Sequence, residues 1–242
     1  MLGGAHEVDS IQRVDFSEFS SAEVVEKAAL SIVANTMAVP GRAGALLVSG
    51  RIPPRAVRVR LFMDARYKPG TNELADIRHR VYYALASTGG GTLRLPDEPE
   101  FEYRDVVCTD AGAWSSLFED GRGDVAFTLL DPVAYGLERV EHGASFEVGG
   151  TWPTWPTLEL VASAGSAVQV AYGGKLVRIE HSFAGGEVVH IDCEREVVTV
   201  DGADARADVT LASDLSTFPP GACDLSVTGC ASFEVRFRER WL

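Results

Sequence analysis

VVHIDCEREVVTVDGA (188–203) and, after a polar connector, STFPPGACDLSVTGCASFEVRFRERWL (216–242) are the stretches that decide the fold. His190, Asp192 and Glu194 alternate with Ile191 and Cys193, the period of two of a half-buried strand. Val197 to Val200 is a second short apolar run, stopped at Asp201-Gly202, a pair that accepts the left-handed backbone of a tight turn. Pro219-Pro220-Gly221 makes a corner before another alternating run from Asp224 to Thr228. At the end Phe233, Val235 and Phe237 share one face, and Glu234, Arg236 and Arg238 share the other. A strand that alternates so cleanly is a docked closing strand. Arg236, Arg238 and Arg240 are expected to form a local basic face there.

Working backwards, the same grammar fills the last hundred residues. Short strands are predicted at 157–162, 167–172, 175–179, 188–192, 197–200, 224–228 and 232–238, separated by Gly165, Gly173-Gly174, Gly185-Gly186, Gly202 and Gly221. Strands of this length with glycine turns and no helix indicate a β-sandwich or jelly roll. Ser163 to Ser166 reads as a hairpin turn. Residues 132–150 supply turns and no periodic apolar face, so a junction is expected there.

The first half reads differently. AVRVRLFM (56–63) is a strand with Val57, Val59 and Leu61 on one face and Arg58, Arg60 and Phe62 on the other. Thr71-Asn72-Glu73 caps a helix to about Ser87, whose Leu74, Ile77, Val81 and Leu85 make one stripe. Gly89-Gly90-Gly91 stops it; these glycines follow a helix, whereas a phosphate cradle precedes one. Strands are expected at 45–49, 92–95, 101–109 and 124–130, and a strand start at Val14 and Phe16. Residues 114–123 read as a long polar loop. Residues 20–35 fit a helix or a strand equally. The whole chain is thus expected to be mainly β: an α+β N-terminal domain with one helix over 1–140, and a C-terminal β-sandwich over 141–242.

Composition narrows the function. The chain has 242 residues and a formal net charge of −13, with Lys27, Lys68 and Lys175 its only lysines. That balance argues against binding a phosphate backbone or an anionic membrane surface. MLGGAHEVDS has no basic or apolar leader segment, and no run reaches the ~18 apolar residues of a membrane span. Folding in a cytoplasm is expected, with Cys108, Cys193, Cys223 and Cys230 as reduced thiols. They show no CxxC or zinc spacing. Cys223 and Cys230 flank one strand and would lie roughly 20 Å apart, too far to bond.

Candidate chemistry is sparse. His190 and Asp192 share a strand face, as a base and its orienter would, or as two residues beside a buried Ile191; the second reading is preferred. Asp201, Asp204 and Asp208 lie in one loop but lack the oxygen count and terminal glutamate of an EF-hand. His6, His79, His142 and His181 are isolated in sequence. No GxSxG elbow is present. No catalytic, metal or cofactor residues are assigned. Trp152 and Trp155, with Tyr172, remain as a possible ligand surface: aromatic faces can stack on sugars. They serve equally to seal the contact between the halves, and that packing role is preferred.

The order and spacing of these landmarks resemble the distal tail protein family of long, flexible-tailed bacteriophages, often called Dit. Gly150-Thr-Trp-Pro-Thr-Trp-Pro-Thr-Leu-Glu-Leu160 resembles the family's start of the C-terminal domain. Ile191-Asp192, Val197 to Gly202, Phe218-Pro-Pro-Gly221 and Phe233 to Leu242 follow in the family's order. Glu73 to Leu85, Leu93 to Pro99 and Tyr103 to Val106 are similar to its helix and hairpin. The chain departs from the pattern at Ala222-Cys223, where many members carry Asn, and over 20–35. The resemblance implies a mainly β tail structural protein, phage or prophage encoded, with no enzymatic activity. It implies a homo-oligomer, a hexameric ring joining the tail tube protein to tail-tip, baseplate or receptor-binding proteins, with DNA passing through unread and no membrane contact. The galectin-like C-terminal domains would sit outside the ring, at the virion tail tip, after assembly in the host cytoplasm. A carbohydrate-binding sandwich is the second reading, and a hydrolase using His190 and Asp192 a distant third.

Overall fold

The structure is a computed structural model, and it describes residues 18, 20–68, 70–86, 90–110 and 114–242. The strand start expected at Val14 and Phe16 lies outside the described residues, as do His6, Pro69 and Gly89. The chain forms two compact units, the first ending at Pro132 and the second spanning Val133–Leu242.

The first unit carries β1 (Ser20–Lys27), β2 (Val33–Ala38), β3 (Ala45–Arg51), β4 (Arg55–Met63), α1 (Asn72–Leu85), β5 (Gly91–Leu95), β6 (Glu98–Asp110), α2 (Trp114–Asp120) and β7 (Arg122–Leu129). Its antiparallel sheet runs β1-β4-β7-β6, with β5 added on β6. Alternation decides which faces are buried: Val57, Val59 and Leu61 of β4 and Val125, Phe127 and Leu129 of β7 are in the core. On the outer face Arg60 lies opposite Asp124 and holds both its oxygens, at 2.7 and 2.9 Å. The Arg60 hydrogen bond holds the Asp124 carboxyl below the usual carboxylate range.

Helix α1 starts where its cap predicts. The Thr71 hydroxyl accepts from the Leu74 amide, and Leu74, Ile77 and Val81 are the buried stripe. Three expectations for this unit change. Within 20–35 the helix reading fails: Ser20–Lys27 is strand, because Ala22 and Val24 face inward beside β4 while Ser21 and Glu23 face out, and a second strand begins at Val33. The helical spacing of Val24, Val25 and Ala28 is overridden by that pairing. The expected long loop at 114–123 is mostly helix α2. Its Leu117 and Phe118 are buried, an apolar pair too short to show a period in sequence. Among the described residues the unit therefore carries the short helix α2 beside the expected α1.

The second unit is a sandwich of strands β8 (Ala134–Glu141), β9 (Ser145–Val148), β10 (Thr157–Ala162), β11 (Gly165–Tyr172), β12 (Lys175–Phe183), β13 (Val188–Asp192), β14 (Val197–Val200), β15 (Ala203–Asp204), β16 (Gly221–Thr228) and β17 (Cys230–Trp241). One layer runs β8-β17-β10-β13-β14-β15 and the other β12-β11-β16-β9. Leu158, Leu160, Val189, Ile191, Val235 and Phe237 of the first meet Val168, Val170, Val177, Ile179 and Leu225 of the second in one core. Asp201 and Gly202, at φ +47° and +77°, turn the chain from β14 into β15.

Two expectations change here as well. Residues 134–148 are not turns without a periodic face but strands β8 and β9, which pair with β17 and β16 in this unit. In β8 the alternation is broken by the half-covered Arg139, whose contacts are described below, and β9 alternates but is only four residues long. Ser163 to Ser166 is not a hairpin turn. Strand β10 pairs with β13 and β17, and β11 with β12 and β16, so this segment carries the chain from one layer to the other.

Candidate functional site

The candidate aromatic residues sit on or near a strap, residues 149–156, that runs along the end of β17 in the second unit. The Thr151 and Trp152 amides both donate to the Arg240 carbonyl, at 2.9 and 3.0 Å. The buried Thr154 hydroxyl donates to the Arg238 carbonyl. Thr154 and Phe218 exchange backbone hydrogen bonds of 2.9 and 2.8 Å. The two prolines keep the strap extended. Gly150, at φ +93°, lets it turn onto β17, where a Cβ would lie 2.3 Å from the Arg240 carbonyl oxygen.

The three aromatics do not form one platform. Tyr172 is 3% exposed, its hydroxyl donating to the Ser216 carbonyl at 2.6 Å and its ring meeting Phe218 edge-on at 4.7 Å. Burial pushes its phenol above the ordinary value. Trp155 is half-buried against the sandwich core. Trp152, 36% exposed, is the most open of the three. Phe218 is fully buried and gathers Phe146, Tyr172 and Phe237 around it.

Beside the strap lies an ionic cluster. Arg139 of β8 donates to Glu239 at 2.7 Å and to Glu141 at 2.6 Å, and its guanidinium stands over the Phe237 ring at 5.7 Å. The Glu239 carboxylate also accepts from the Gly149 amide at 3.2 Å. The hydrogen bond to Glu239 holds the Arg139 guanidinium above its ordinary value. Glu239 reaches this position because a bulge between Arg238 and Arg240 interrupts the β17–β8 register. Sequence alternation carries no sign of that bulge, so the cluster is not legible from spacing.

The remaining candidates are accounted for singly. Asp192 accepts from the Glu194 and Arg195 amides, each at 3.0 Å, and so caps the β13–β14 turn. His190 lies between Glu159 of β10 and Thr199 of β14 in the strand register. Asp201 caps the Val188 amide, Asp204 pairs with Arg206, and Asp208 bonds the His181 ring at 2.8 Å. The acid trio is thus divided among three partners. The His181–Asp208 pair, missed in the sequence, fastens a 3-10 turn (Arg206–Asp208) to β12. Among the described residues no group of three or more His, Cys, Asp or Glu is placed to hold a metal ion. The expected basic face at Arg236, Arg238 and Arg240 does not stand. Arg236 is paired with Glu234, and Arg240 folds back onto the Pro153 carbonyl at 3.1 Å and over the Tyr135 ring.

The strap, the closing strand and the Phe218 corner coincide with a known domain. Residues 149–241 match the model of the siphovirus-type tail component, C-terminal domain. The first matched residues are Gly149 and Gly150, and at Gly150 the β17 backbone leaves no room for a side chain.

The fold likeness extends beyond the tail-component domain. The Dit protein of phage SPP1, described as a paradigm of the hub adsorption apparatus in phages that infect Gram-positive bacteria, is similar in structure. It has a TM-score of 0.70 and 20% identity over 95% of this chain and 96% of that one. Two structures of the phage P2 baseplate in its activated conformation, with Ca and with Sr, match at TM-scores of 0.51 and 0.52. Their identities are 8% and 9%, over 90% of each chain. At these identities the likeness is one of fold. No curated protein matches the chain by sequence.

Proposed function

We propose that this chain is a distal tail protein, an adaptor at the tip of a long phage tail. The observation that carries the reading is the coincidence of two likenesses. Residues 149–241 match a tail-component domain, and the fold of 95% of the chain follows that of the hub protein Dit. In this reading six copies form a ring through which DNA passes. The first unit joins the tail tube, and the second offers attachment to baseplate or receptor-binding proteins. The protein performs no catalytic step; it is made in the host cytoplasm and ends in the virion.

Acidic surfaces suit such a passage. A chain of net charge −13 repels a phosphate backbone and favours transit over binding. The glycan-binding alternative needs an aromatic platform, and the burial of Tyr172 leaves Trp152 without a second open ring of the candidate set. Gold-labelled antibody against this chain should decorate the tips of intact phage tails, and density for the two units should encircle the tail axis there. Labelling of capsids or of tail shafts instead would overturn the proposal.

A further inference from the structure

Strands β2 and β3 pair only with each other, as a two-stranded sheet. Residues 29–38 are all exposed, so β2 takes its direction from its root and not from packing along its length. A six-residue strand spans about 20 Å, and a small rotation at the root is a large displacement at the tip. Two links join this arm to the sheet. Residues 28–32 belong to no strand. Ile52-Pro53-Pro54 is stiff, because each proline fixes its own φ and restricts the residue before it. One loose link beside one stiff strut is the geometry of a hinge.

The residues at the root converge on one carboxylate. Lys27 ends β1 and Arg55 begins β4, so these two cations enter and leave the arm. Glu98 starts β6, on the separate β5–β6 hairpin. Its Oε1 meets Lys27 Nζ at 2.8 Å, and its Oε2 accepts from the hydroxyl of the buried Tyr103 at 2.6 Å. Lys27 also donates to Asp97 at 3.3 Å and stands over the Tyr103 ring at 5.9 Å. Burial pushes the Glu98 carboxyl up. The hydrogen bonds from Lys27 and Tyr103 and the charges of Lys27 and Arg55 outweigh it, and the group ionises below its ordinary value. The far side of the root is strapped to the near side: Arg55 Nε donates to the Ala28 carbonyl at 3.2 Å, and the Ala28 amide donates to the Ala56 carbonyl at 2.9 Å. Charge-assisted hydrogen bonds of this kind are the strong ones, and they fix geometry as well as energy.

We propose that Glu98, with Lys27, Tyr103 and Arg55, forms a catch that sets the direction of the β2–β3 arm. With the catch closed, both ends of the arm are clamped to the β5–β6 hairpin and the arm leaves the first unit at one angle. With it open, the arm swings as a body about residues 28–32 while Pro53-Pro54 keeps it attached. The inference concerns the first unit alone and does not rest on the tail reading above.

The test is hydrogen exchange of the purified full-length chain, followed by mass spectrometry of overlapping peptides, with thermal melts to confirm folding. In the wild type the root amides around Ala28 and Val57 should exchange slowly. Glu98→Ala should speed them about tenfold, the effect of losing one charge-assisted hydrogen bond. Glu98→Gln, which keeps an acceptor for Tyr103, and Tyr103→Phe, which keeps the ring, should each give a smaller increase; they carry the test if Glu98→Ala does not fold. In every variant the amides that pair β2 with β3 should keep their wild-type rates, because a swinging arm stays paired. Root amides unchanged in all three variants overturn the proposal. Faster exchange throughout β1, β4, β7 and β6 also overturns it, by making the cluster a general brace of the sheet. So does loss of the β2–β3 pairing together with the root, since the arm would then unfold instead of swinging.

Discussion

Arg139 and Glu239, a hundred residues apart in sequence, meet at 2.7 Å where β8 borders the bulged end of β17. Their contact fixes three things at once. It holds the Glu239 carboxylate on the Gly149 amide, it positions Arg139 over Phe237, and through Glu141 it ties β8 along its own length. Because Arg139 is 40% exposed, solvent screens the pair. Glu239→Ala is expected to destabilise the second unit by about 1 kcal/mol, and Glu239→Gln, which keeps an acceptor for the Gly149 amide, by less. A double-mutant cycle with Arg139→Ala should return a coupling of about 0.5–1 kcal/mol that shrinks in 1 M salt. Denaturant melts of the four proteins make the measurement.

Gly149 and Gly150 should respond differently to the same substitution. A Cβ on Gly149 would meet the Glu239 carboxylate at 2.6 Å, the free end of a side chain that can swing aside. A Cβ on Gly150 would meet the Arg240 carbonyl oxygen at 2.3 Å, and the backbone there is at φ +93°. Gly149→Ala should therefore cost about what loss of the Glu239 contact costs, about 1 kcal/mol. Gly150→Ala should cost about 2–4 kcal/mol, since strain and a backbone collision add. Equal costs at the two positions would show that the strap is free to lift from β17.

How much of this was legible in the sequence depends on distance along the chain. Wherever a period of two or a capping residue sits within a few positions, element and face were both readable. The inward set Val57, Val59 and Leu61, the Thr71 cap, the Asp201-Gly202 turn and the closing strand are such cases. The layer change at Ser163 was not readable, because a chain turning within a layer and one crossing between layers use the same small residues. The pairing of 20–27 with β4 was not readable either. Val24 and Val25 suit a helix or a strand, and only the partner decides.

The surface features were hidden for a related reason. Asp192 and His190 share a face, but the oxygens of Asp192 are committed to the turn amides that follow it, which alternation does not disclose. The arginines at the terminus look like one basic face in a flat strand. The bulge at Glu239 and the strap beneath Arg240 turn them to separate partners.

Phe218 should be the most costly side chain of the second unit to truncate. It is fully buried, with Tyr172, Phe146 and Phe237 about its ring, and its backbone anchors Thr154. Phe218→Ala is expected to cost about 3–5 kcal/mol through lost burial and the cavity left behind. Phe218→Leu, closer in volume, should cost less than half as much. Trp152→Ala, at the open end of the same strap, should change stability by no more than about 1 kcal/mol. Thermal or urea melts followed by near-ultraviolet circular dichroism would rank the three.

Cys193 makes the second unit sensitive to alkali. Burial pushes its thiol up to about 12, with the neighbouring Tyr172 hydroxyl opposing the shift and Asp192 adding to it. In the unfolded chain the same thiol ionises near 8.5, about the ordinary value. The folded state therefore holds its proton over a window in which the unfolded state releases it. A group whose pKa is raised on folding contributes stability that is fully present below the unfolded value and is lost as pH rises toward the folded one. Unfolding free energy should fall between about pH 8.5 and about pH 12, at up to about 1.4 kcal/mol per pH unit for the one thiol. Cys223, pushed up to about 11 by burial, should add to the lower part of that window. Cys193→Ala should start from a lower stability at neutral pH and show a shallower alkaline slope. Urea midpoints of the wild type and the variant at a series of pH values make the comparison, and equal slopes would mean that the thiol is hydrated in the folded state.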